Sequence, residues 1–279
     1  GRVGGSGGHS AGGGWRVARG QNPGMNTSAA LPAPVLLVTG ASRGIGAACA
    51  VLAAQRGWDV AVNYTRDAAA AQAVAAQVRA AGRRALVVQA DVADEAAVLA
   101  MYAAIDRELG PLRGLVNNAG VVDVAARIDE GSVARWRRMF EINVIGSMHC
   151  AAEAVKRMST RHGGQGGAIV NLSSAAARIG AAGQYVDYAA AKGAIDIFTL
   201  GLAREVATEG IRVNAVRPGI IETDIHASGG QPDRAARMAP LVPMQRAGTS
   251  EEVAAAVVWL LSDAASYTTG TVLDVAGGR

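Results

Sequence analysis

The chain has 279 residues, half of them hydrophobic, with 27 basic and 23 acidic residues and a net charge of +4. That is enough for one large domain or two small ones with a sizeable core. Three of the positive charges (Arg2, Arg16 and Arg19) fall in the first 24 residues, where there is no acid, so the remainder is nearly neutral and offers no basic stripe for nucleic acid.

Residues 1–24 are glycine-rich and of low complexity, so the stretch through residue 33 is expected to be a disordered leader. It lacks the apolar run of a signal peptide, and Met25 is a candidate natural start, with residues 1–24 a tag or an over-extended reading frame. From residue 35 strand and helix alternate. Strands are expected at 35–39, 59–63, 85–89, 114–117, 168–172, 212–216 and 271–275. Helices are expected at 45–56, 68–81, 94–109, 133–161, about 185–208 and 250–261. Such alternation implies parallel strands joined by right-handed crossovers, a doubly wound α/β sheet of Rossmann type forming a single domain over residues 34–279. Cys49 and Cys150 lie far apart on expected helices and read as buried small hydrophobes, with no disulfide framework and no metal-ligand spacing. No later run of eighteen apolar residues occurs, so no membrane span is expected and the chain reads as a soluble cytoplasmic protein.

Two stretches carry chemistry. Thr39 to Gly46 reads TGASRGIG between a strand and a helix. Glycines there permit a tight turn and close backbone approach to a pyrophosphate, with the helix N-terminus pointing its free N–H groups at the phosphates. The second stretch ends in Tyr188, three alanines and Lys192, and residues four apart share one helix face. A unit positive charge about 4 Å from a phenol interacts by roughly 4 kcal/mol at an effective dielectric of about 20. Less desolvation, that lowers the phenol pKa by up to roughly three units, toward a general acid near neutrality. Only Lys156 and Lys192 among the 27 basic residues are lysine. A site that needs a compact charge under a phenol favours Lys over the wide fork of Arg.

With these motifs in order, the chain resembles the short-chain dehydrogenase/reductase family. The likeness spans about residues 34–279 and rests on TGASRGIG, Asp91-Val92, Asn117-Asn118-Ala119-Gly120, Asn143, Ser174, Tyr188 with Lys192, and Arg217-Pro218-Gly219 leading to Thr223. The texture is similar to bacterial 3-oxoacyl-carrier-protein reductases and glucose-dehydrogenase-like reductases. The resemblance implies reversible hydride transfer between a nicotinamide and the carbonyl or secondary alcohol of a small molecule: ketoacyl, sugar or other ketone. A catalytically idle dinucleotide sensor or scaffold is the alternative.

The resemblance also implies roles. Gly40, Ser42, Arg43, Gly44, Ile45 and Gly46 hold the pyrophosphate side of the cofactor. Asp91 and Val92 contact adenine, and Asn118, Ala119 and Gly120 pass beside the adenosine ribose. Pro218, Gly219, Ile221 and Thr223 flank the nicotinamide. Ser174 holds the substrate oxygen, Tyr188 is the acid, and Lys192 bonds the nicotinamide ribose. Asn143 sits mid-helix against its propensity, and in the family a water bound there extends a proton relay from the lysine. The interval from Ser174 to Tyr188 is one residue longer than in many relatives. Ser173 is therefore a weaker candidate, and a bulge is expected to carry Gln184 and Tyr185 into the substrate pocket. Residues 224–246 are expected to form an irregular cover.

At the end of the second strand, Tyr64 stands where an acid would bond the 2′-hydroxyl of NAD. Arg43 and Arg66 are candidate partners for a 2′-phosphate, although Asp67 could hold Arg66 away. NADP(H) is therefore the expected cofactor, with NAD(H) the alternative. In the family the two long helices around Asn143 and Tyr188 make a contact between subunits. Val144, Met148 and Val155 on one helix and Ile195, Phe198 and Leu202 on the other are the expected contact positions, in a homotetramer or alternatively a dimer.

Overall fold

The computed structural model describes residues 33–223 and 229–279. The expected glycine-rich leader falls almost wholly at 1–32, outside the described residues, as does the 224–228 part of the expected cover.

Residues Ala33–Arg279 form one compact unit. Its centre is a seven-stranded parallel sheet in the order β3-β2-β1-β4-β5-β6-β7. The strands are β1 (Val35–Val38), β2 (Asp59–Tyr64), β3 (Ala85–Gln89), β4 (Leu112–Asn117), β5 (Gly167–Leu172), β6 (Ile211–Pro218) and β7 (Val272–Val275). Strand β1, VLLV, is buried on both faces, because helices cover both sides of a parallel sheet. On one side lie α1 (Gly44–Gln55), α2 (Ala68–Ala80) and a helix at Ser250–Leu261. On the other lie α3 (Glu95–Glu108), α4 (Val133–Phe140), α5 (Gly146–Met158) and a long helix at Val186–Val206. Two short helices, α6 (Ala176–Ile179) and α8 (Arg234–Met238), also occur among the described residues, so the long helix is α7 and Ser250–Leu261 is α9. The strand order reverses between β1 and β4, which opens the crevice at the carboxyl ends where ligands bind such sheets.

Local chemistry explains where the helices start. Asp67 caps α2 by accepting the Ala70 N–H at 2.9 Å, and Asp94 caps α3 through Ala97 at 3.1 Å. Thr249 and Glu252 form a reciprocal capping box on α9. Such caps contribute about 1 kcal/mol each. Helix α1 differs: its N-cap is Arg43, no side chain caps it, and its first turn holds no acid.

Two expectations change. The helix at 133–161 is not continuous, because a π-helical turn at Glu141–Ile145 separates α4 from α5. The expected irregular cover contains the helical turn α8, placed where Asp233, Arg234 and Ala235 can start a helix. Among the described residues no helix is long and apolar enough to cross a membrane.

Candidate active site

The glycine turn after β1 is held by side chains from three neighbouring strand ends. The Thr39 hydroxyl donates to the Val116 carbonyl at 3.3 Å and accepts the N–H groups of Asn118 and Ala119 at 3.0 Å. The Asn118 amide donates to the carbonyls of Thr39 and Gly40, both at 2.9 Å. Asn63, buried at the end of β2, accepts the Gly40 N–H at 3.1 Å and donates to the Ala90 carbonyl at 3.0 Å. Asn63 was not singled out in the sequence. Its only signal was a polar residue following the apolar run at 60–62 of β2. Gly40 and Gly44 take φ of +61° and +55°, and a Cβ on Gly46 would stand 2.4 Å from the Asn118 amide nitrogen. Only glycine fits these positions.

The outlying residues spread along this edge. Ser42 and Ile45 flank the start of α1, and Tyr64 ends β2, half-buried against the core. Val92 is buried, so close to α5 that a Cβ on Gly146 would meet it at 2.7 Å. Asp91 is exposed and accepts the Ala93 N–H at 3.0 Å. Arg43 and Arg66 are exposed, with no ion pair to either among the described residues. Asp67 is engaged as the α2 cap and does not restrain Arg66.

A cavity of about 380 Å³ runs from this turn into the sheet's carboxyl edge. It gathers Ile45, Asn118 and Gly120 with Ser174, Tyr188 and Lys192, and Pro218, Gly219, Ile221 and Thr223 line it from the β6 side. Thr223 lies over the turn, where a Cβ on Gly44 would meet its methyl at 3.5 Å. The Lys192 ammonium donates to the Leu172 carbonyl at 2.7 Å and stands 5.7 Å from the Tyr188 ring centre. Ser173 and Ser174 part company. The buried Ser173 hydroxyl donates to the Lys192 carbonyl at 3.2 Å, bracing α7. The Ser174 hydroxyl accepts the Ala176 N–H at 3.1 Å and lines the cavity with the Tyr188 phenol.

Asn143 sits in the π-helical turn and makes a two-way amide pair with Val121. Its Oδ1 accepts the Val121 N–H at 3.1 Å, and its Nδ2 donates to the Val121 carbonyl at 3.0 Å. Nδ2 also donates to the Met139 carbonyl at 3.0 Å, and the Asn143 carbonyl accepts the Ser147 hydroxyl at 3.2 Å. These bonds compensate the poor helix propensity of asparagine and carry the wide turn. They also fix Gly120, where a Cβ would lie 2.7 Å from Asn143 Oδ1 and 3.6 Å from the Lys192 nitrogen.

The electrostatics correct the simple Coulomb expectation. Burial pushes the Tyr188 phenol up to about 12, although the Ser174 hydroxyl pulls the other way. Burial pulls Lys192 down to about 8, opposed by the charge of Asp196 one turn further along α7. Desolvation dominates for both groups, because the charged forms lose water inside the cavity. Cys49 and Cys150 are buried free thiols, each pushed up to about 12 by the same cause.

The segment between Ser174 and Tyr188 forms α6 and a tight turn in which Ala181 takes φ +47°. It sets Gln184 and Tyr185 into the cavity wall. The Tyr185 hydroxyl accepts from Gln231 at 3.0 Å, and Gln184 accepts from Arg234 at 2.7 Å. Arg234 and Arg279, neither singled out in the sequence, line the same cavity.

The chain is similar to known oxidoreductases. The family model described as Enoyl-(Acyl carrier protein) reductase matches residues 40–279. An Escherichia coli (strain K12) protein named Uncharacterized oxidoreductase YgfF is 55% identical over 245 residues, covering 88% of this chain and 99% of that protein. The cis-4-hydroxycyclohexanecarboxylate dehydrogenase of Sinomonas cyclohexanicum is 43% identical over 244 residues, covering 88% and 95%. A crystal structure of a short-chain type dehydrogenase/reductase from Mycobacterium marinum superposes with a TM-score of 0.82 at 34% identity, covering 88% of this chain and 94% of that one. The chain belongs to the short-chain dehydrogenase/reductase family.

As a member of that family it is an NAD(P)-dependent oxidoreductase acting on CH–OH groups. The residues present fit a dinucleotide. The uncapped, acid-free start of α1 leaves its N–H groups free for an anion. The glycines at 40, 44 and 46 keep side chains off that approach.

Proposed function

We propose that the chain is an NADP(H)-preferring short-chain oxidoreductase that interconverts a ketone and a secondary alcohol on a small molecule. What supports this above all is one cavity that holds Ser174, Tyr188 and Lys192 and opens toward the free start of α1. The Sinomonas relative, whose name specifies a ring alcohol, belongs to the same substrate class. The bound nicotinamide supplies or accepts the hydride. In reduction, the hydroxyls of Ser174 and Tyr188 hold the carbonyl oxygen, and Tyr188 gives its proton to that oxygen as negative charge develops. Lys192 bonds the nicotinamide ribose, and its ammonium favours the phenolate left behind. Asn143 positions the Gly120–Val121 backbone beside Lys192 and keeps carbonyl capacity for a water-borne proton relay. Oxidation runs the same path backwards.

The cofactor preference rests on the exposed Arg43 and Arg66, and on Tyr64 standing where an acid would repel a 2′-phosphate. Asp91 and Val92 take the adenine, and Asn118 with Ala119 borders its ribose. Ser42, Gly44 and Ile45 face the pyrophosphate, and Thr223 with Ile221 borders the nicotinamide. Gln184 and Tyr185 shape the substrate side.

We also propose a cytoplasmic homotetramer assembled through α4, α5 and α7. Of the expected contact positions, Met148 is exposed, whereas Val144 and Ile195 are buried within their own chain. Val133, Phe140, Met148, Val186 and Ile197 are apolar side chains that α4, α5 and α7 expose, and Ile145 is exposed in the π-helical turn between α4 and α5.

The deciding experiment follows nicotinamide absorbance across a panel of ketones with NADPH and NADH, and across a panel of secondary alcohols with NADP⁺ and NAD⁺. Turnover faster with NADPH is expected. No turnover of any member with either cofactor overturns the reading.

A further inference from the structure

The substrate side of the cavity carries two guanidinium groups that no side-chain carboxylate among the described residues pairs with. Arg234, on α8, donates to the neutral oxygens of Gln184 at 2.7 Å and Gln231 at 3.3 Å and stacks 5.1 Å from the centre of the Tyr185 ring. Arg279 presents Nη1 as a buried nitrogen with no hydrogen-bond partner among the described residues. Both line the cavity that holds Ser174 and Tyr188. Nearby acids are taken: Asp233 lies 3.7 Å from Arg237, and Asp274 pairs with Arg178 at 3.0 Å and Arg217 at 3.7 Å. The Arg279 main-chain oxygen accepts from Arg178. Among the described residues no ion pair reaches either cavity arginine.

Two like charges in one wall repel each other and lose hydration, and a buried N–H left unpaired costs free energy. Burial lowers the Arg234 pKa, and the charges of Arg279 and Arg237 act in the same direction, opposed by Tyr185. Such an arrangement is relieved by an entering anion, and guanidinium forks suit the paired oxygens of carboxylate and phosphate. Ile179 and Met238 make part of the remaining wall apolar. We infer that the substrate is a short, largely apolar ketone or alcohol bearing an oxyanion, a carboxylate or a phosphate, which Arg234 and Arg279 bind while Ser174 and Tyr188 hold the reacting oxygen. This rests on the oxidoreductase reading of the same cavity and adds to it the substrate's charge.

The test is calorimetric titration of the full chain, with NADP⁺ and separately with NAD⁺. The probes are 4-oxopentanoate and dihydroxyacetone phosphate against their neutral counterparts, methyl 4-oxopentanoate and dihydroxyacetone. At least one anion is expected to bind roughly tenfold or more tightly than its neutral partner, the scale of a charge-assisted hydrogen bond. Which anion wins separates carboxylate from phosphate. Arg234→Gln and Arg279→Gln should each remove most of that preference, and Arg234→Lys should restore part of it. Arg279→Gln keeps the main-chain bond to Arg178, so it tests the inference even where Arg234→Gln fails to fold. Equal binding of charged and neutral probes, binding of none of them, or a preference that survives both Gln variants overturns the inference. Parallel absorbance assays separate the two claims. Neutral ketones reduced as fast as anions leave the oxidoreductase standing without the anion site. Arginine-dependent anion binding with no turnover of any ketone leaves the anion site standing without hydride transfer.

Discussion

Arg135 and Asp187 form a buried two-point ion pair directly beside Tyr188. The guanidinium reaches the carboxylate at 2.6 Å and 3.3 Å, and Asp187 also accepts the Tyr188 main-chain N–H at 2.9 Å. Arg135 extends a further bond to the Val124 carbonyl, so α4, the loop after β4 and the first turn of α7 meet at one point. Burial pushes the Asp187 carboxyl up, but the bonds from Arg135 and from the Tyr188 N–H outweigh it and leave its pKa lowered. Its stabilising contribution is therefore present above the unfolded-state carboxyl pKa and is lost as pH falls through the folded one. Arg135→Ala strands a buried carboxylate and should cost about 3–5 kcal/mol in denaturant unfolding at neutral pH. A loss below about 1 kcal/mol would show that the pair is not structural.

Tyr188→Phe removes the phenol proton while keeping the ring. Turnover should fall by roughly 10²–10⁴-fold, the usual contribution of general acid catalysis. Cofactor affinity should change little. Retention of wild-type kcat on a good substrate would end the assignment of Tyr188 as the acid.

Lys192 makes stability rise with pH in a defined window. Its folded pKa is pulled from 10.5 to about 8, so between those values the unfolded chain binds a proton that the folded chain does not. Stability from this group increases through that window, with a slope of at most about 1.36 kcal/mol per pH unit. Cys49 and Cys150, raised from 9.0 to about 12, act oppositely above pH 9. The difference between wild type and Lys192→Met, measured by urea unfolding from pH 7 to 10, isolates the lysine. A difference that stays flat or falls would refute the burial of its charge.

Arg43→Ala should weaken NADPH binding by about 1.5–3 kcal/mol, the range for a hydrogen bond to a charged group, and barely change NADH. Km values for both cofactors, side by side, check it. A wild type that prefers NADH, or a variant that loses both equally, would sink the 2′-phosphate assignment.

Ile197 is 70% exposed on α7, two residues beyond the buried Ile195. If α7 packs against a second copy, Ile197→Asp places a charge in that contact and should shift the mass by light scattering from tetramer toward smaller species. A monomeric wild type at micromolar concentration, or a variant that stays tetrameric, would count against this surface.

What the sequence determined by itself was whatever depends on near neighbours along the chain. Apolar runs such as VLLV, the glycine turn at Gly40–Gly46 and the four-residue step from Tyr188 to Lys192 encode strand, turn and shared helix face through local geometry. Their order then selects a doubly wound sheet, because parallel strands need right-handed helical crossovers. What only the tertiary structure decided depends on which distant groups meet and how much water they lose. Asn63 braces a turn 23 residues away, and Arg135 finds Asp187 across 52 residues. Asn143 pairs with Val121 in a π-helical turn that no helical period announces. Val144 and Ile195 face inward where a surface stripe was expected, because α4, α5 and α7 bury those sides against their own chain. The same holds for charge. Proximity in sequence argued for a phenol made acidic by its lysine, but burial reverses that shift and lowers the lysine as well, and desolvation is a property of the packed cavity rather than of the four-residue spacing.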